Sequence, residues 1–161
     1  MMRSYTHLSQ QLRRLDRMQR CYLYELGTSD TEAFVSFNFA PPSLRRRIGM
    51  LGFLHKRVLN ECHPALSEFL IPEPGHANRY HDSPLDPRWD DVRGHSKLYN
   101  TSLYMYILMY NRLPQEVIQN RTVSAFQSQL TRIAKERARG GDVAWRTSYQ
   151  DCRSVVDFFY P

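Results

Sequence analysis

The run YNRLPQEVIQNRTVSAFQSQL, residues 110–130, restricts the path of this chain more than any other stretch. Pro114 keeps the residue before it out of helical geometry, so a helix arriving from upstream must end before Leu113. Pro114 itself suits the first position of a new helix, where its missing amide costs nothing. Glu116 falls in the first turn, which the helix dipole favours, and Val117 and Ile118 anchor the short segment. Thr122 then caps a further helix whose inner stripe is Val123, Phe126, Leu130, Ile133 and Ala134. Gly140-Gly141 stop that helix. The chain is thus predicted to turn twice in a tight space and to bring the helix after Thr122 back onto a bundle.

The rest of the chain reads in the same way. Tyr5, Leu8, Leu12, Leu15, Met18, Tyr22 and Leu26 recur at spacings of three and four, which predicts a first helix over residues 4–26 with that stripe facing inward and Gly27 as its stop. Asp30 is the expected cap of a short second helix. Pro41-Pro42 break the chain, and Ser43 is the expected cap of a helix over residues 44–61 with Leu44, Ile48, Leu51, Leu54 (or His55), Val58 and Leu59 buried. Gly49 and Gly52 lower helix propensity there, and their expected use is close approach of another helix. ALSEFLI, starting at residue 65, predicts a further short helix. Residues 72–95 hold four of the nine prolines and almost no aliphatic side chain, so they read as an exposed loop or hinge. Leu98 to Tyr110 is read as helix, because it lacks period-two alternation, and a last amphipathic piece over residues 148–159 packs back through Val155, Val156 and Phe159. The expectation is an all-α fold of about six helices in a small irregular bundle. Residues 1–71 and 96–161 form its two helical halves, with the proline-rich hinge between them; the halves are also compatible with one domain.

Several chemistries find no foothold. There is no Walker loop, no dinucleotide-binding glycine pattern and no nucleophile elbow. His55, Cys62, His63, His76 and His81 lack the paired spacing of a zinc site, and Cys62-His63 point about 100° apart if helical. Asp82, Asp86, Asp90 and Asp91 form the one acidic cluster, on a loop rather than on the rigid elements a two-metal site requires. Cys21, Cys62 and Cys152 are odd in number and far apart, which argues against a disulfide framework and for a reducing compartment. No run approaches the roughly 18 apolar residues of a membrane span, so no membrane partner is expected. The localisation expected is intracellular, cytoplasmic or nuclear.

What chemistry remains is basic. Lys and Arg number 22 against 16 acids, a net charge of +6, compatible with a polyanionic partner. Arg45-Arg46-Arg47 open one helix, with Lys56-Arg57 about three turns on, and Arg132, Lys135, Arg137 and Arg139 form a second basic group. Facing one side, the two groups would neutralise several phosphates; apart, each is a solvated helix face. Tyr22, Tyr24 and Trp89 offer rings for base stacking or, at helical spacing, for a core.

Three blocks in order carry a family resemblance. LDRMQRCYLYELG (residues 15–27) is similar to an LD-x-x-Q-R-x-x-L-R helix, APPSLRRRIGMLGFLHKRVLN (residues 40–60) to P-L-x-x-R-R-x-x-x-L-x-x-L-H-K, and the run from residue 110 to W-N-x-L-P-x-E-V … S-x-x-x-F-K-x-x-L. The chain resembles the C-terminal region, downstream of the polymerase domain, of non-LTR (LINE-type) retrotransposon reverse transcriptases. Tyr110 stands where that family usually has Trp, and Gln127 where it often has Lys or Arg. No Tyr-x-Asp-Asp polymerase motif occurs. The resemblance implies a non-catalytic, cofactor-free tail with a polymerase domain encoded upstream. It implies weak, electrostatic contact with RNA or DNA through the basic residues of the matched blocks: Arg17, Arg20, Arg45, Arg46, Arg47, Lys56, Arg57 and Arg132. The alternatives are a helical protein-interaction module with Tyr99, Tyr104 and Tyr106 on an exposed face, an inert relic, or a metal-dependent enzyme using the loop acids and histidines.

Overall fold

A computed structural model describes residues 3–64, 70–72, 80, 85–87 and 102–160. The fold is an all-α bundle. In chain order the elements are α1 (Arg3–Glu25), α2 (Asp30–Phe37), α3 (Pro42–Val58), β1 (Leu70–Pro72), β2 (Leu85–Pro87), α4 (Ser102–Tyr110), α5 (Gln115–Ile118), α6 (Val123–Arg139), a 3-10 turn (Val143–Thr147) and α7 (Cys152–Phe159). β1 and β2 pair antiparallel, Ile71 opposite Asp86.

Local chemistry sets most of these boundaries. Gly27 takes φ +67, and Gly27 N–H and Thr28 N–H return to the carbonyls of Tyr24 and Leu23, closing α1 in a Schellman turn. Gly141 at φ +77 ends α6 in the same way, with Asp142 N–H on Arg137 O. Thr122 Oγ1 accepts from Ala125 N–H at 3.1 Å, as its position predicts. Two expected caps and one expected helix start move. Ser29, not Asp30, caps α2, accepting from Glu32 N–H at 3.1 Å. α3 starts at Pro42 with Pro41 as its cap residue, so Ser43 lies inside the helix. The last helix begins at Cys152, where Asp151 and Ser154 form a capping box, because the 3-10 turn occupies the residues before it.

α3 is the central helix. It packs on α6 most extensively, and also on α4 and α1. One cluster of buried side chains runs from Phe34 through Leu44, Leu51, Leu54, Ile107, Phe126 and Leu130 to Val155, so both expected halves contribute to one core. Gly52 is buried where α3 meets α6, and a Cβ on it would collide with the Gln127 side chain. The predicted close approach is therefore made at Gly52 and not at Gly49, whose Cβ would meet open space.

Three expectations about burial are overturned. Leu15, Met18, Tyr22 and Leu26 of the α1 stripe are 48%, 66%, 55% and 58% exposed; among the described side chains of α1 the buried one is Leu23. The side chains of Tyr5, Leu8 and Leu12 lie outside the described residues. The proline-rich stretch is not wholly exposed either. Leu85 is buried, and Asn111 at the end of α4 holds its backbone from both sides, accepting from Leu85 N–H and donating to Leu85 O, each at 2.9 Å. Tyr106 is 7% exposed, which removes it from the exposed face that an interaction module was expected to use. Residues 65–69 of ALSEFLI lie outside the described residues, as do Leu98 and Tyr99, and its last two, Leu70 and Ile71, belong to β1 instead of the expected helix.

Candidate nucleic-acid interface

The N-terminus of α3 begins with two prolines, and Pro41 offers no side-chain oxygen to the first free amides. The acceptor comes from another helix: Asp16 Oδ1 on α1 takes the Ser43 N–H at 3.0 Å. One turn along α1, Gln19 Nε2 donates to Phe39 O at 3.4 Å. These polar contacts, with Leu23, turn a polar face of α1 towards α3. Arg13 and Arg20 share that face by helical spacing, being three and four residues from Asp16.

On the opposite side the 3-10 turn is drawn in by α3 and α2. Arg47 Nη1 donates to the main-chain oxygens of Arg146 (3.0 Å) and Ser148 (3.4 Å). Arg146 Nε pairs with Asp30 Oδ2 at 2.9 Å, an interaction left open to Asp30 because Ser29 does the capping. Trp145, stacked on Phe34 with centroids 5.0 Å apart, seats the turn in the core.

The result is a cleft of about 520 Å³ between α1, α3 and the 3-10 turn, lined by Arg13, Arg20, Arg46, Arg47 and Arg146, with Asp16, Asp30 and Tyr106. Five arginines against two aspartates leave it strongly positive. Burial pushes the Arg47 guanidinium below the usual arginine value; Arg46 adds to that, while Tyr106, Asp16 and Asp151 oppose it. It nonetheless stays charged, as arginine does in proteins.

Three of the eight sequence-predicted residues, Arg20, Arg46 and Arg47, meet in this cleft; Arg17, Arg45, Lys56, Arg57 and Arg132 do not line it. Arg45 lies with its guanidinium carbon 5.8 Å from the Phe39 ring, against a separate groove with Gln127. Arg17 and Lys56 are exposed, and Arg57 Nη1 donates to Asn60 Oδ1 at 3.2 Å. The second basic group is largely engaged within the protein. Arg132 pairs with Glu136 at 2.8 Å, Arg137 with Asp142 at 2.6 Å, and Lys135 sits 5.7 Å from the Phe34 ring centroid. Sequence reasoning missed Arg13 and Arg146. Arg13 was legible from its spacing to Arg20 once the polar face is known to turn inward. Arg146 arrives from a distant part of the chain and carried no local signal.

His55 is not available as a metal ligand. It is fully buried, stacked on Phe126 with centroids 4.2 Å apart, and both ring nitrogens are used, Nε2 on Asn120 O at 2.8 Å and Nδ1 on the Tyr110 hydroxyl at 3.0 Å. Among the described residues no three of His, Cys, Asp and Glu gather as a metal site. His76, His81, Asp82, Asp90, Asp91 and Trp89 lie outside the described residues, as does the Asp86 side chain. No helix among the described residues is long and apolar enough to cross a membrane.

No family model matches the chain, and neither a curated protein nor a solved structure matches it.

Proposed function

We propose that this chain is a non-catalytic helical module that binds RNA or DNA weakly and electrostatically, of the kind found in the C-terminal tails of non-LTR retrotransposon reverse transcriptases. The observation that carries the reading is the arginine-lined cleft. Guanidinium forks match phosphate oxygens, and here several converge on one concave surface instead of scattering over solvated helix faces. Two of the three blocks that carry the resemblance, residues 15–27 and 40–60, supply Arg20, Arg46 and Arg47 to it. The same reading expects a polymerase domain encoded upstream, which the flanking genomic DNA would reveal.

Anisotropy of labelled single-stranded DNA, duplex DNA and hairpin RNA at about 50 and 200 mM salt tests the proposal, because affinity carried by phosphate contacts falls with salt by roughly 0.7 to 0.9 in logarithmic slope per contact. Binding should weaken steeply with salt, and Arg20→Ala with Arg46→Ala should both reduce it and flatten the slope. Absence of binding at the lower salt would sink the nucleic-acid role.

The exposed apolar stripe Leu15, Met18, Tyr22 and Leu26 favours a second reading, a helical protein-interaction module. Stable self-association in sedimentation, together with no nucleic-acid binding, would select it.

A further inference from the structure

A duplex presents its phosphates on a convex cylinder, one charge after another, and such a surface meets a flat basic face more readily than a recess. The cleft between α1, α3 and the 3-10 turn is a recess, and its size of about 520 Å³ lies in the range of small-ligand sites. Its arginines divide into two kinds. Arg47 and Arg146 are fixed, one by main-chain carbonyls and the other by Asp30. Arg13, Arg20 and Arg46 have neither a hydrogen-bond nor an ion-pair partner among the described residues, and neither do Arg47 Nε and Nη2. Both aspartates are already committed, Asp16 to the Ser43 amide and Asp30 to Arg146. A rigid cationic floor with unpaired guanidiniums at its rim suits a compact, highly charged anion better than a string of diesters.

We propose that this cleft is a phosphomonoester site that takes the terminal phosphate of a single-stranded RNA or DNA. A terminal phosphate carries roughly −1.5 to −2 at neutral pH and three acceptor oxygens, against one charge for an internal diester. A strand end can enter a recess that the continuous backbone cannot. The proposal rests on the nucleic-acid reading above for the source of the phosphate, but the chemistry of the cleft is tested apart from it.

The experiment compares one short single strand, internally labelled, in three forms: 5′-phosphorylated, 3′-phosphorylated and without a terminal phosphate. Anisotropy at about 50 mM salt is measured beside calorimetric titration with inorganic pyrophosphate. One terminally phosphorylated form should bind about tenfold tighter than the unphosphorylated strand, the worth of one or two charge-assisted hydrogen bonds. That preference should vanish in Arg46→Ala and Arg20→Ala, both exposed positions, and persist in Arg132→Ala, which lies outside the cleft. Equal binding of the three strands would overturn the site and leave the nucleic-acid reading standing. Pyrophosphate binding lost in Arg46→Ala, with no strand bound, would keep the phosphate site and overturn its nucleic-acid source. Silence in both arms would overturn both.

Discussion

His55 on α3 and Tyr110 at the end of α4 meet in the core, with 3.0 Å between Nδ1 and the phenol oxygen. The contact fixes the protons. Nε2 must donate to the Asn120 carbonyl, which only accepts, so Nδ1 of the neutral ring accepts from the Tyr110 hydroxyl. Both residues are fully buried, and one belongs to the second resemblance block while the other opens the third. Tyr110→Phe should lower stability by about 1–2 kcal/mol, since it leaves a buried ring nitrogen without a partner. His55→Ala should cost more, about 2–4 kcal/mol, because it opens a cavity against Phe126 and strands two polar groups. Urea unfolding midpoints check both.

The same histidine makes stability depend on pH. Burial lowers its pKa, partly offset by the Asn120 hydrogen bond and by Glu61. Between the lowered folded value and the unfolded value of about 6.5, the unfolded chain binds a proton that the folded chain does not. Stability from this group is therefore whole above about pH 6.5 and falls as pH drops below it. The denaturation midpoint should decline from pH 7.5 to pH 5, and His55→Gln should decline less over the same range.

Gly49 and Gly52 should respond to alanine with opposite signs. At Gly49 nothing opposes a methyl group, so Gly49→Ala should stabilise by about 0.5–1 kcal/mol through helix propensity. At Gly52 the methyl group meets the Gln127 side chain, and Gly52→Ala should destabilise by about 1 kcal/mol net of propensity. In a Gln127→Ala background the effect of Gly52→Ala should reverse to stabilising. A double-mutant cycle by thermal denaturation reads the coupling; a sign unchanged by Gln127→Ala would mean the clash lies elsewhere.

Asp16 serves as a cap for a helix it does not belong to. Asp16→Ala should destabilise by about 1 kcal/mol, the usual worth of a lost cap. It should also speed amide exchange at the start of α3 and along α1 together, because one bond joins them. Exchange confined to α3 would show that Leu23 and the Gln19 contact hold α1 without it.

Arg46 and Arg47 are neighbours with different work. Arg47→Ala should destabilise the fold by about 1–3 kcal/mol, since its guanidinium and half-buried stem hold the 3-10 turn. Arg46→Ala, at an exposed position, should leave the melting temperature unchanged. Melting curves of the two variants, run before any binding assay, separate loss of structure from loss of charge.

The helices were legible wherever a single residue decides a boundary. Gly27 and Gly141 are needed because the chain turns left-handed there, and Thr122 because a free amide needs an acceptor. Caps were misjudged where two candidates adjoin, as at Ser29 and Asp30, since either oxygen could serve and the choice depends on Arg146 far along the chain. Leu85 was illegible as core because Asn111, which holds its backbone in place, lies beyond the loop. Of the cleft, Arg20, Arg46 and Arg47 were visible as charges, but their convergence was not.

By itself the sequence determined an all-α chain with its main boundaries at Gly27, Pro41-Pro42, Leu113-Pro114 and Gly140-Gly141, because backbone sterics and capping act within a few residues. Tertiary structure decided which face of α1 turns inward. The spacing of Leu15, Met18, Tyr22 and Leu26 speaks for burial of that stripe, yet the free amide of Ser43 behind two prolines recruits Asp16 and rotates the polar face onto α3. The five-arginine cleft follows from that rotation and from the docking of Trp145. Neither can be read locally, because each joins residues that only folding brings within hydrogen-bonding or stacking distance.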